Sequence, residues 1–465
     1  MQLKRDRRKH MRNRLAEAVN NHKADYIEIR LENHESTHIR FQGKDMEKIS
    51  SSQQIGGNIR ALVKGKWGFV TFAGWDDLQE KARQAVEIAT LIGNQVSYLT
   101  ETEPVVELLL PECGHDFRKV SLKEKAAMMK NYSNIIVNYS SKIQSSIVNY
   151  SDRYTTVYFA NSEGSYIKHE RPYLSVHFTA IARNGDDVQM ASESTGSTKG
   201  YDSAEQLSSL AQKTARRAVN LLRAESVQGG EYTVILDPVL AGVFIHEAFG
   251  HLSEADFLYE DPRMCNLMKL GKQVGTQELN VVDDGSLPGL LGSAKYDDEG
   301  VLTRKNYLIK EGILAGRLHS RETSARMGEG LTGNARALNY HYKPIVRMTN
   351  TYIEQGKTPY RDLFNGIKKG IYARQFYGGN TTFEMYTFSA GEGYMIENGK
   401  ISKPVRDITL TGNLFDTLYN IDGIGNDLKI IESGGGCGKG GQQPLPVTFG
   451  SPHIRIQKVI VGGSR

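Results

Sequence analysis

Hydrophobic and polar positions in the first half of the chain switch repeatedly between a helical and a strand period. An opening amphipathic helix runs through Leu15, Ala18 and Val19. Ile27, Ile29 and Leu31 then recur at every second position, as one face of a strand does, and another strand-like run spans 67–72. Asp76 stands where a helix cap is expected, ahead of a stripe of Leu78, Ala82, Ala85, Val86 and Ala89. The polar, proline-containing stretch 101–115 reads as a connection. Ser121 and Glu124 make a capping-box pair for the next helix, strands are predicted at 154–160 and 173–182, and an amphipathic helix over about 204–222. Helix, strands, helix thus occurs twice before Gly229, the layout of a duplication without a residue-level repeat.

From Gly229 the texture changes to short strands divided by glycines and by turn pairs such as Asp284-Gly285, Glu299-Gly300, Glu311-Gly312 and Asn398-Gly399. The expected fold class is α+β. An N-terminal helix/strand domain over 1–228 precedes a mostly antiparallel β sheet or barrel-like domain over 229–465, which carries the chemistry on its loops.

Composition changes this picture little. The 465 residues, 39% hydrophobic and 24% charged, suit a globular protein of two or more domains. No apolar run approaches a membrane span, and no apolar segment follows the charged N-terminus, so neither a membrane nor a secretory signal is expected. Cys113, Cys265 and Cys437 are too few and too scattered for a disulfide framework, which points to the cytoplasm. The net charge of +5 is concentrated at the start: Lys4, Arg5, Arg7, Arg8, Lys9, Arg12 and Arg14 against Asp6 give a local excess of +6. The remaining body is nearly neutral, which is not the footprint of a nucleic-acid-binding domain, and the basic arm reads as the solvated face of the opening helix.

The candidate chemistry is concentrated in HEAFGH, from His246 to His251. Two imidazoles bracketing a carboxylate suit a hydrolytic zinc site, but the spacing is one residue longer than HExxH. Four residues apart on an α-helix, two side chains diverge by about 40° and can share a metal; five apart they diverge by about 140°. A shared ion therefore requires the helix to widen or end between them, and Gly250 stands where that distortion would fall. Asp237 as cap, Pro238 at the first helical position and an apolar face of Val239, Leu240, Val243 and Phe244 supply the start of the helix.

A third ligand has to come from elsewhere. GGGCGKGGQ, 434–442, fails as a phosphate-binding loop because Ser433 takes the first glycine position and Gly440 replaces the Ser/Thr. What it offers is Cys437 in a loop that permits close backbone approach, with Cys265 and then Cys113 ranked behind it. Arg336, Tyr340, His341 and Arg347 are further polar and aromatic candidates for orienting or oxyanion roles.

The chain resembles the TldD/PmbA family of metallopeptidases, on the metal-bearing TldD side. HEAFGH, VVDDG at 281–285, YDDEG at 296–300, TGN at 332–334, RMTNTY at 347–352, IENGK at 396–400, GNDLK at 425–429, CGKGGQ at 437–442 and VGG at 461–463 carry the resemblance in order. It implies a zinc peptidase with His246, His251 and Cys437 as metal ligands, one Zn2+ per active subunit, and Glu247 as the catalytic carboxylate that activates the zinc-bound water. Unstructured peptides or leader segments are the implied substrates, and a homodimer or a heterodimer with a TldE/PmbA-like subunit the implied assembly. After the motif the chain reads LSEAD, 252–256, where relatives read nearer to GLEGD, which bears on substrate preference. Two other functions are weighed beside this one: a non-catalytic partner or scaffold subunit, against which the intact motif speaks, and a nucleic-acid or topoisomerase-associated regulator, suggested by the basic arm and an old gyrase-modulator label.

Overall fold

A computed structural model describes residues 2–91, 96–259 and 261–462, with side chains from residue 10 onward. In the N-terminal half one sheet runs in the order Lys66–Ala73, Asp45–Val63, Tyr26–Gln42, Ile143–Asn161, Tyr166–Asn184, Asp187–Ser197. This order mirrors itself about the long antiparallel pairing of Tyr26–Gln42 with Ile143–Asn161, which runs from Glu28 opposite Asn161 to Gln42 opposite Ile147. Each half is a three-strand meander between helices: Gln2–Asn20 and Leu78–Leu91 in the first, Leu122–Val137 and Ser208–Leu221 in the second. The repeated layout expected from the periodicity is therefore present, fused into a single sheet.

Alternation sets the two faces of this sheet. In the second half Val148, Tyr150, Leu174, Val176 and Phe178 are buried under the helices, whereas Asn149, Ser151, Arg153, Tyr173, Ser175 and His177 face a cleft. In the first half Ile27, Ile29 and Leu31 bury with Leu15, Ala18, Val19, Ala82 and Ala85. Each large aliphatic side chain so buried contributes about 1.5–3 kcal/mol.

Several boundaries differ from the sequence reading. Strands predicted at 154–160 and 173–182 are parts of the longer Ile143–Asn161 and Tyr166–Asn184, whose polar cleft-facing residues dilute the apolar signal. The helix after Asp76 starts at Leu78, preceded by Asp77 at φ 52°, whose carbonyl accepts the Lys81 N–H. The connection 101–115 contains the strand Val106–Leu109, which pairs in parallel with residues 166–169. The helix over 204–222 is broken into Asp202–Glu205 and Ser208–Leu221. Of the basic arm, Lys4, Arg5, Arg7, Arg8 and Lys9 lie outside the described side chains; Arg12 stacks on the Tyr166 ring and Arg14 donates to the Trp75 carbonyl at 2.6 Å.

The C-terminal half contains the expected barrel. Lys369–Thr382, Gly230–Leu236, Ile454–Gly462, Thr409–Asn413 and Met385–Glu397 are hydrogen-bonded in turn, and the last pairs back to the first to close the ring. All these pairings are antiparallel except the parallel one between Lys369–Thr382 and Gly230–Leu236. Asn398 and Gly399, both at positive φ, turn the chain from Met385–Glu397 into Lys400–Arg406, as a two-residue hairpin loop requires. A second sheet follows the order Ile313–Leu314, Lys305–Lys310, Val281–Asp284, Asn350–Ile353, Thr448–Ser451, Lys429–Ile431.

The helix bearing HEAFGH packs between the barrel and this second sheet. Leu240, Ala241, Phe244, Ile245, Ala248 and Phe249 are all buried, and Phe244 meets the barrel residues Tyr386 and Phe388 edge-on at 5.2 and 6.1 Å. On the other side a side chain at Gly242 would lie 2.8 Å from Phe449 of the sheet. The two halves are tied by YDDEG: Asp298 pairs with Arg30 at 2.5 Å and Arg171 at 3.0 Å, and Glu299 with Arg60 at 2.9 Å. Among the described residues no helix is long and apolar enough to cross a membrane.

Candidate metal centre

Asp237 caps the motif helix by accepting the Leu240 N–H at 2.9 Å, and Pro238 fills its first position. Residues Pro238–Phe244 are α-helical, but Ile245–Gly250 form one turn of π-helix, and the His251 N–H donates to the His246 carbonyl. A ring closed by an i to i+5 hydrogen bond puts residues five apart on one face, the widening that the HExxxH spacing demands. Gly250 is part of this turn for a different reason from its backbone freedom. Its φ of −57° and ψ of −47° are ordinary helical values, but a Cβ there would come within 2.1 Å of the Met348 sulfur.

Cys437 arrives on an excursion between two paired neighbours of the second sheet, Lys429–Ile431 and Thr448–Ser451. It begins a hairpin of Cys437–Lys439 with Gln442–Leu445, turned by Gly440 and Gly441 at φ 56° and 77°. The buried Arg347 clamps this hairpin by donating to the carbonyls of Cys437 at 2.8 Å and Gln442 at 3.2 Å. Lys439, the second residue after the cysteine, anchors the hairpin, with Nζ 2.5 Å from Asp256 and 3.0 Å from Glu254.

Folding thus brings His246, His251 and Cys437 together across 186 residues, with one donor atom from each lying within 4.8 Å of the others. Cys437 Sγ is 3.2 Å from His251 Nε2, and the two imidazoles meet edge-on with centroids 5.5 Å apart. Ligands on a tetrahedral zinc are separated by roughly 3.5 Å, so the cluster needs only small adjustments to hold one. The donor set is itself of the kind zinc takes, and His246 Nδ1 is buried without a hydrogen-bond partner, as groups awaiting an ion are.

The electrostatics favour a ligating thiolate. Burial alone would raise the Cys437 thiol, but the His246 and His251 rings pull it down to about 5. Burial lowers the basicity of His251, and Glu254 with Cys437 more than reverses it, to about 11. His246 is likewise raised, Cys437 outweighing its burial. Glu254 is fully buried and accepts from His251 Nδ1 at 2.9 Å and from the Met348 N–H at 3.2 Å; against its burial, Lys439 and His251 hold it down to about 2. A carboxylate on Nδ1 leaves Nε2 of His251 free for a metal and fixes the ring.

Glu247 points the other way. Its side chain is 40% exposed, with Oε2 3.7 Å from His251 Nε2, and it opens with His246 and Cys437 into a cleft of about 1040 Å³. The opposite wall is the polar face of the N-terminal sheet, fastened to the cysteine loop where Tyr173 and His177 donate to the Gly434 carbonyl at 2.7 and 3.1 Å.

The other sequence candidates are not at the cluster. Cys265 donates to the Leu258 carbonyl at 3.0 Å, and Cys113 lies beside Gly200. Arg336 donates to the carbonyls of Met348 and Pro446, Tyr340 packs beside His34, and His341 stacks on Tyr340. Glu254, Lys439 and Asp256 were missed. Glu254 stands three residues after His251 in LSEAD, and that i, i+3 spacing of a carboxylate after a candidate ligand is the signal that could have found it.

The buried His246 and Cys437 and the half-buried His251 thus stand beside the exposed Glu247 at a cleft, a donor set of the kind a hydrolytic zinc site uses. Three family models match in order: PmbA/TldA metallopeptidase domain 1 over 27–89, the central domain over 115–222 and the C-terminal domain over 229–463. The chain belongs to the PmbA/TldD family of metallopeptidases. It is 47% identical to a metalloprotease of Synechocystis sp. over 95% of each chain, and 32% identical to a zinc metalloprotease TldD homolog of Saccharolobus solfataricus over 95% of this chain and 97% of that one. The solved TldE of Thermococcus kodakarensis shares the fold, with a TM-score of 0.78 at 17% identity over 97% of this chain and all of that one.

Proposed function

We propose that this metallopeptidase hydrolyses peptide bonds in unstructured peptides or leader segments, with one zinc ion held by His246, His251 and Cys437 and with Glu247 as its general base. The observation that carries the reading is the convergence of the three donor atoms within 4.8 Å, beside the cleft that His246, Cys437 and Glu247 line. Zinc bound there would supply Lewis acidity toward the scissile carbonyl and lower the pKa of water in its open position to about 7. Glu247 Oε2 would take the proton from the attacking water and return it to the leaving amine. Glu254, held by Lys439, keeps the His251 ring oriented throughout. The cleft, walled by a sheet on one side and the motif helix on the other, suits an extended chain better than a folded one.

The chain is divided at residue 229 into an N-terminal domain that builds one wall and a C-terminal domain that carries the donors. The fold shared with TldE supports a dimeric assembly, as a homodimer or with a TldE/PmbA-like subunit. Three free cysteines accord with a reducing cytoplasm. The test is metal analysis of protein purified without chelator, coupled to digestion of an unfolded peptide. Zinc near one equivalent and cleavage that a chelator abolishes and zinc restores are expected. Cleavage that persists without metal would overturn the reading.

A further inference from the structure

A second cavity of about 630 Å³ adjoins the metal cleft, and Arg153, Tyr173 and Pro446 form the wall common to both. Arg153 lies on Ile143–Asn161, opposite Ser36 on one neighbouring strand and Tyr173 on the other. Asn149 and Ser151 precede it on the same cleft-facing side, so its guanidinium stands at the passage from one cavity to the next.

Every other arginine on the two linings is engaged. Arg40 pairs with Glu47 and donates to Asn149, Arg30 pairs with Glu32 and Asp298, Arg171 is held by His169 and Asp298, and Arg336 donates to two backbone carbonyls. Arg153, among these described arginines, makes neither a hydrogen bond nor an ion pair; its guanidinium carbon lies 5.6 Å from the centroid of the Tyr173 ring. Glu32, the carboxylate whose charge Arg153 feels, already accepts from Arg30, His34 and the Tyr340 N–H. Partial burial lowers the pKa of Arg153, yet an arginine stays charged. Five donors without a protein partner on a half-buried cation, at the wall shared by two cavities, suit an anionic partner that matches their planar fork.

We propose that Arg153 is a substrate-binding residue that receives a carboxylate of the peptide, and so sets a preference for acidic substrates in the metal cleft. This rests on the peptidase reading above. The carboxylate comes either from the C-terminus of the peptide or from an aspartate or glutamate side chain, and both are two-oxygen acceptors for a bidentate pair.

The test uses the full-length protein and short unstructured Gly/Ser-rich peptides in four forms: one internal Glu or Gln, each ending in a free acid or an amide. Binding is measured by fluorescence anisotropy on metal-free protein, and kcat and KM on the zinc-loaded protein, for wild type, Arg153→Met and Arg153→Lys. Wild type is expected to bind a carboxylate-bearing form roughly tenfold to a hundredfold tighter than the form lacking it. Arg153→Met should lose that preference, with the loss read in KM for the carboxylate-bearing peptides, and Arg153→Lys should recover part of it. The Glu/Gln and acid/amide arms identify which carboxylate is read. A carboxylate preference that survives in Arg153→Met, or no preference in wild type, overturns the proposal. If the preference in binding follows Arg153 but no peptide is cleaved, the subsite stands and the peptidase reading falls.

Discussion

The His251 backbone N–H donates to the His246 carbonyl five residues earlier. That single hydrogen bond marks the widened turn that carries both imidazoles to one side of the helix, where Cys437 Sγ comes within 3.2 Å of His251 Nε2. The extra residue in HExxxH is therefore accommodated by one π turn, and the turn is held by packing on Met348.

Because the π turn depends on that close approach, Gly250→Ala is expected to destabilise the protein by about 1–3 kcal/mol, the cost of overpacking a core with no room to give. Met348 is fully buried, so its side chain has nowhere to retreat. Urea denaturation of Gly250→Ala, and of the same variant combined with Met348→Val, checks this. The second substitution should recover part of the loss, and a Gly250→Ala protein as stable as wild type would contradict the packing account.

Glu254 is expected to govern metal affinity without touching the metal. Glu254→Gln removes the carboxylate that accepts from His251 Nδ1 and that Lys439 and His251 hold near pKa 2. Zinc affinity measured by competition with a chromophoric chelator should fall by about 10–100-fold, the usual cost of losing such a support. An unchanged affinity would show that Lys439 and Asp256 alone hold the site in shape.

Acid should loosen the seam between the two halves. Burial would raise Glu32, but Arg30 and His34 hold it from the ordinary 4.5 down to about 2. Its folded pKa lies below its unfolded one, so its stabilisation is fully present above about 4.5 and is lost as pH falls toward 2. Wild type should therefore lose up to about 3 kcal/mol more than Glu32→Gln across that window in pH-dependent urea titrations. Parallel curves for the two proteins would remove Glu32 from the acid response.

Much of this was legible in the sequence, for physical reasons that differ from element to element. Asp237 and Pro238, and Ser121 with Glu124, announced helix starts because caps are local chemistry. The spacing of His246 and His251 demanded a widened turn, and the glycines around Cys437 singled out one cysteine of the three. Long strands were read short because Asn149, Ser151 and Arg153 face a cleft and leave only every second residue apolar. Arg347 stands among the sequence candidates without its partner, and Lys439 not at all, because the groups they hold, the Cys437 carbonyl and Glu254, lie 90 and 185 residues away, distances that periodicity cannot see. Gly250 was noticed for its backbone freedom, whereas its role is to have no side chain.

The central claim is that Glu247 moves the proton in a zinc-dependent hydrolysis, and the most direct measurement is peptide cleavage by Glu247→Gln at a zinc content equal to that of wild type. A loss of about 10²–10⁴-fold in kcat with the metal still bound is the predicted result. Cleavage at the wild-type rate by the zinc-loaded variant would contradict it.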